Sequence, residues 1–387
     1  MKPVITASRV IVGVLFIFSG LIKADDPLGL SYKMQEFFEV WGWHGLDDFT
    51  LAFSLAMIFF EVFAGVALLV GWQMKLFSWL LLLLTIFFTF LTGYALFSGK
   101  VRECGCFGNC IPLTAQQSFI KDIVLLLLIL MLFYNREKLK AFFRPGISIA
   151  VLLASAILTL GFQRHVLRHL PVVDCLPYRI GTNIQEAMRI PPGGIPDSTV
   201  INFVYNKGGK EVEFTADNFP ADFSDSLYQF VARRDKLIRK GNAEPAIKDF
   251  VLLTAEGADT TQAVLGLDGY KVLFFTKGIK QKDPAWLPQL RSITKKLDNK
   301  NIPAVFVTSD YSNVHEWLRR QGMQDAMPLL KCDFVAIKTA ARADPVLFLL
   351  DGGTIVNKWS YADFDKASKG IDSLPASIKS LNEPIIP

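Results

Sequence analysis

The sequence predicts an α-helical transmembrane bundle of four to five helices followed by a C-terminal soluble α/β domain. Three observations predict it. Apolar residues crowd the chain before about residue 162, whereas charges and Gly/Pro punctuation dominate afterwards. Several apolar stretches reach the ~20 residues that a ~30 Å hydrocarbon core requires at ~1.5 Å per residue. Beyond them the period of the apolar pattern switches between strand-like and helix-like. The 387 residues are 51% hydrophobic with a mean hydropathy of +0.33, too apolar for one soluble globule. A net charge of +5, scattered and without a basic tract, argues against nucleic-acid binding. The five cysteines are an odd number, and three fall within one short loop, which suggests a local thiol site rather than a disulfide scaffold.

The elements follow in order. Residues 4–22 are apolar apart from Arg9, residues 50–72 apart from Glu61, and residues 76–98 carry no charge. A fourth span starts near Thr114 and leaves Lys121 and Asp122 toward the interface. Residues 147–162 form a shorter fifth. No small-x-small cleavage site follows Ile22, so the first stretch is expected to stay as an uncleaved helix. The connection after the fourth span carries Arg136, Lys138, Lys140 and Arg144 and reads as cytoplasmic. The first loop, with Asp25, Asp26, Glu36, Glu39, Asp47 and Asp48, reads as external. The expected location is the bacterial inner (cytoplasmic) membrane, multi-pass, with the C-terminal domain in the periplasm.

Polar residues within spans need a reason, because a charge at mid-bilayer costs ~3 kcal/mol or more. Glu61 reads either as a proton carrier or quinone partner, or as a helix-paired packing residue. Arg9 is expected to snorkel to the cytoplasmic face, and Lys23 to join Asp25 and Asp26 in an interfacial cluster. In the first loop Phe37, Phe38, Val40, Trp41 and Trp43 read as an interfacial helix or aromatic belt, with a quinone or lipid groove as the sharper alternative.

Between the third and fourth spans runs Cys104-Gly105-Cys106-Phe107-Gly108-Asn109-Cys110. Gly105 and Gly108 permit tight turns that gather sulfurs. Lys100, Arg102, Lys121 and a helix start near Thr114 favour thiolate. Three readings stay open: a redox-active disulfide or thiol relay, a structural disulfide pinning the loop, and a soft-metal site. The last is weakened by the lack of a neighbouring histidine, and no metal is assigned.

Arg9, Phe16, Ser19-Gly20-x-x-Lys23, Glu61-x-x-x-Gly65 and Gly71 resemble the DoxX family. The Cys-Gly-Cys-Phe-Gly element, with Phe119 and Lys121-Asp122 opening the fourth span, resembles its relative MauE. The resemblance covers roughly residues 1–140. It implies thiol–disulfide or quinone-linked redox work beside a thioredoxin-like partner.

Residues 164–199 form a Pro/Gly-rich connector containing Cys175, which either pairs with the loop cysteines or stays free. Residues 201–205 and 211–215, separated by Asn206-Lys207-Gly208-Gly209-Lys210, read as a β-hairpin. Residues 225–240 read as an amphipathic helix. Strands are expected at 250–253, 271–275, 304–308, 346–350 and 354–359, with helices at 286–297 and 312–321. This alternation over residues 247–375 resembles the thioredoxin-like fold in its peroxiredoxin and TlpA branch, where Asp344-Pro345 occupies the place of the family's cis-proline. Where a thioredoxin carries Cys-x-x-Cys, this chain reads Thr276-Lys-Gly-Ile-Lys-Gln-Lys-Asp-Pro284, without cysteine. Cys332 reads as a small buried residue.

The domains are therefore expected at 1–163 (bundle), 164–199 (connector) and 200–387 (extracytoplasmic α/β domain). Cys104 and Cys106 would carry electrons, Cys110 would resolve, and Glu61 would handle protons. Pro345, Cys175 and Cys332 have structural roles. The expected function is a component of a thiol-disulfide or quinone oxidoreductase, in contact with membrane lipid. A quinone is the one cofactor the residues suggest, and the tethered domain recruits a protein partner of the cell envelope. The alternative is a non-enzymatic scaffold with a static disulfide.

Overall fold

The computed structural model describes residues 2–101, 105, 107–195, 198–208, 210–215, 218, 220, 227–239, 241, 244–324 and 326–376. Five of its helices are long and apolar enough to cross a membrane. They are α1 (Lys2–Asp25), α3 (Thr50–Val70), α4 (Met74–Ser98), α5 (Ala115–Tyr134) and α6 (Pro145–Arg168), with the shorter α2 (Pro27–Trp41) between the first two. The protein is thus a multi-pass membrane protein.

The helix ends are written locally. Asp26 caps α2, its carboxylate accepting the Gly29 N–H, and Pro27 occupies the first turn. Thr114 and Gln117 form a capping box at α5, starting the fourth span where the sequence predicts. Helices α1 and α3 approach backbone to backbone: a Cβ added to Gly65 would lie 2.9 Å from the Gly13 carbonyl oxygen. Small residues permit such contact in a bilayer, where lipid offers no hydrophobic drive between helices. Arg9 does not snorkel. It is buried and donates to the carbonyls of Leu68, Leu69 and Lys140, satisfying the C-terminal end of α3. At that same end Lys75 pairs with Glu137.

The soluble half contains α7 (Ile184–Ala187), then a three-stranded antiparallel sheet of β1 (Ser198–Lys207), β2 (Lys210–Thr215) and β3 (Gln229–Arg239) in the order β2-β1-β3. The hairpin β1–β2 is the expected one. The expected helix at 225–240 is a strand over 229–239; positions 225, 226 and 240 lie outside the described residues. A lone hairpin is marginal, and β1 keeps a free edge that β3 fills, pairing Phe203 with Arg233 and Tyr205 with Phe230. Tertiary pairing overrides a local helical pattern here.

The second sheet follows α8 (Thr261–Leu265). It consists of β4 (Tyr270–Thr276), α9 (Leu287–Asn299), β5 (Ala304–Thr308), α10 (Tyr311–Arg320), β6 (Leu329–Lys331), α11 (Phe334–Ala340), β7 (Val346–Asp351), β8 (Thr354–Ser360) and α12 (Phe364–Asp372). The strand order is β6-β5-β4-β7-β8. β4, β5 and β6 are parallel, and β7 and β8 run antiparallel to their neighbours. This is the thioredoxin-like arrangement. No strand forms at 250–253, where Leu253 makes only isolated bridges to Asp259 and Lys331. One sheet face packs on α9, α10 and α12 through Phe274, Leu290, Trp317 and Phe364. The other packs on α8 and α11, with Tyr178 and Ile184 of the connector and Phe250. Part of the connector is therefore core of the α/β domain.

The Asp344–Pro345 peptide bond is cis. Thr276 Oγ1 and the Lys277 N–H both donate to Asp344 Oδ1, tying the end of β4 to the cis-proline turn. Burial pushes the Asp344 carboxyl above its usual range, and Lys277 opposes that.

This end of the α/β domain rests on the membrane half. Lys277 Nζ donates to Tyr32 Oη (2.8 Å), Lys338 Nζ to Gln35 Oε1 (2.8 Å) and Arg342 Nε to Asp26 Oδ2 (2.9 Å). The Asp25 carboxylate accepts the backbone N–H groups of Val172 and Val173. Lys358 pairs with Asp174 at 2.8 Å. The expected Lys23–Asp25–Asp26 surface cluster is thus dissolved: both aspartates join the two halves, and Lys23 turns inward.

Candidate functional site

The cysteine loop lies where these contacts meet. Cys104 and Cys106 lie outside the described residues, as does Arg102. Cys110 forms a disulfide with Cys175, 65 residues on, with Cα atoms 4.8 Å apart. The expectation of Cys110 as a free resolving thiol is corrected: here it is bonded. The bond joins the loop to the connector, and it removes one of the three thiolates that a metal reading would use. Among the described residues no cluster of metal-ligating side chains occurs.

Two loop residues mark what lies beneath. Gly105 borders an apolar cavity of about 470 Å³ between α2, α3 and α4, walled by Phe37, Trp41, Met57 and Phe88, with Lys23, Lys33 and Thr92 as its polar edge. Its size falls in the ~300–1,000 Å³ range of small-molecule pockets. The aromatic stretch of the first loop forms this wall, so Phe37 is buried and packs on Trp41 at 5.5 Å. The outer side of α2 is the side held by the α/β domain; the inner side lines the cavity. Phe107, two residues after Gly105, borders a second, smaller cavity of about 40 Å³. It packs against Phe18 at 6.0 Å, with Lys121 Nζ 5.2 Å from its ring.

The smaller cavity gathers ionisable side chains between apolar walls. Lys23 Nζ lies 2.5 and 2.8 Å from the two Glu61 oxygens, and Ser19 Oγ donates to Glu61 Oε2 at 3.3 Å. Lys23 and Glu61 are 3% and 1% exposed, too little for either to share its charge with water. Lys121 pairs with its neighbour Asp122, which also accepts from Thr92 Oγ1 at 3.1 Å. Asp122 does not face the interface as expected but is buried in the bundle. Lys121 is accordingly committed to a carboxylate. Sequence reading identified Glu61 and overlooked Lys23, Lys121 and Asp122 as its companions; an adjacent Lys-Asp pair leading into an apolar helix was the available signal.

Cys332 is buried in the α/β core, where desolvation pushes its thiol up to about 12. At pH 8 its thiolate fraction is then about one in ten thousand. Native full-length protein should leave Cys332 unlabelled by maleimide over minutes at pH 8, with labelling appearing on denaturation. Rapid native modification mapped to Cys332 would contradict this burial.

Residues 1–135 match the family of the methylamine utilisation protein MauE, so the membrane half is MauE-like. Residues 199–240, which contain the three-stranded sheet, match a domain of unknown function. Over 157 residues, 39% of this chain, the sequence is 26% identical to Protein TlpB of Flavobacterium psychrophilum. The matched stretch spans 43% of that relative's length. No solved structure matches.

Proposed function

We propose that this protein is a thiol–disulfide redox component of the bacterial cytoplasmic membrane, with Cys104 and Cys106 exchanging electrons with a membrane quinone. Two thiols become a disulfide, releasing two electrons and two protons. The quinone takes up both pairs and leaves as quinol. The observation that carries the reading is Gly105. This residue stands between the two cysteines in sequence and forms part of the wall of an apolar cavity within the bundle. Lys23, which has one N–H beyond the two that face Glu61, offers a donor to a quinone oxygen at its polar edge, and the aromatic walls suit an isoprenoid tail. The α/β domain, without a dithiol of its own, serves as a docked cap on the extracytoplasmic side and a surface for an envelope protein partner.

The test uses reduced full-length protein in lipid nanodiscs. A short-chain ubiquinone is added, maleimide traps the remaining thiols, and intact mass counts them. The expected result is loss of two alkylatable thiols, slowed about tenfold in Met57→Trp, which fills the cavity at a cost of about 1.4 kcal/mol in binding. The Cys110–Cys175 bond favours a second reading, a static scaffold. An unchanged thiol count after quinone addition supports the scaffold and ends the quinone proposal.

A further inference from the structure

The two cavities meet. Lys23 and Phe88 line both, and the loop contributes Gly105 to the larger one and Phe107 to the smaller one. In sequence Cys106 is the residue between them. A redox step at this loop that moves two electrons into the bilayer also has two protons to move, and the smaller cavity is lined by two carboxylates.

Among the described residues the ionisable groups lining that cavity are Lys23 from α1, Glu61 from α3, and Lys121 and Asp122 from α5; α4 brings the Thr85 hydroxyl and no charge. The four charges sum to zero, so either carboxylate can take a proton without leaving the site strongly charged of one sign. Ionisable groups buried inside an apolar bundle are costly, and packing alone would be served by apolar side chains. A second observation points to a further occupant. Thr85 is buried against the cavity, and its hydroxyl has no hydrogen-bond partner in the protein. The volume of about 40 Å³ suffices for a water, whose share of the liquid is ~30 Å³.

We propose that Glu61 and Asp122, linked by water held on Thr85, form a proton-exchange site that accepts the protons lost when the loop thiols oxidise and returns them when the disulfide is reduced. Thiol oxidation gives a disulfide, two electrons and two protons. The protons pass one at a time through a carboxylate to the quinone of the proposed function, which takes both electrons and on which this inference rests for its electron acceptor. The quinone collects each proton across the shared Lys23 edge, which restores the ion pair before the next proton is taken up. Glu61 and Asp122 are positioning and proton-carrying groups, while the cysteines carry the electrons.

The test does not depend on the quinone. The midpoint potential of the loop thiols is measured against pH in glutathione buffers, by alkylation and intact mass, on full-length protein in lipid nanodiscs. The wild type should show an inflection from a redox-linked carboxylate. Glu61→Gln and Asp122→Asn should each remove or displace it, and Asp122→Glu should retain it at a shifted pH. Thr85→Val, which keeps both ion pairs, should weaken the coupling without unfolding the bundle. Identical profiles for wild type, E61Q and D122N overturn the proton site, and so does a wild-type profile with no inflection. An inflection present in a protein whose loop short-chain ubiquinone leaves reduced removes the quinone as acceptor and retains the proton site.

Discussion

Replacing Glu61 with Ala should destabilise the bundle by about 3–5 kcal/mol, because the Lys23 ammonium is left buried without its counter-charge. Both side chains are almost fully buried, and Lys23 has both Glu61 oxygens within hydrogen-bond distance. Ser19 would also lose its acceptor. The penalty is that of an orphaned ion and not the worth of the pair, so the double variant Lys23→Leu/Glu61→Leu should recover most of the loss. Unfolding of the full chain in mixed micelles, followed over a double-mutant cycle, reads both effects. If E61A lies within about 1 kcal/mol of wild type, the pair is not an isolated ionic contact and water must reach it. The comparison separates a pair kept for packing, where the apolar replacement is harmless to every readout, from a pair kept for proton traffic. In the latter case the double variant is stable yet loses the pH inflection.

Removing the Cys110–Cys175 bond comes next in size. It closes a loop over a sequence separation of 65, and the chain-entropy relation assigns such a cross-link about 4 kcal/mol. Much of that constraint acts on the seating of the α/β domain, because the bond ties the cysteine loop to the connector. Cys110→Ser with Cys175→Ser should therefore raise the rate of proteolytic cutting in the connector at least tenfold in nanodiscs, while the five spans stay intact. The polar contacts of Arg342 with Asp26, Lys277 with Tyr32 and Asp25 with the connector backbone keep the domain near the bundle even then. An unchanged digestion pattern would mean that these contacts alone seat the domain and that the disulfide serves another purpose, such as accepting electrons from the loop thiols.

Both expectations concern groups that sequence reading located without fixing their partners. Glu61 was conspicuous because a lone carboxylate in an apolar span is costly, and Cys110 because three cysteines share one short loop. Their partners, Lys23 and Cys175, sit 38 and 65 residues away in sequence. The same limit explains β3. Residues 229–239 carry a pattern that serves a helix or a strand, and the open edge of β1 decided between them. It explains α2 as well, whose aromatic residues read as a membrane-surface belt or as a groove, and three of which, Phe37, Phe38 and Trp41, prove to be a cavity wall on a helix whose other side is held by the α/β domain.

What the sequence by itself determined is the division of the chain: the apolar spans, the α/β half with its Asp344-Pro345 turn, and the lack of a dithiol after β4. These are local properties, because crossing a membrane demands a continuous apolar run whose backbone bonds are satisfied within the segment. Only the tertiary structure decided which charges meet inside the bundle, which cysteine bonds to which, and which face of the α/β domain rests on the membrane half. Those choices depend on side chains distant in sequence competing for a few partners in a low-dielectric interior, where an unpaired charge or donor is too costly to leave.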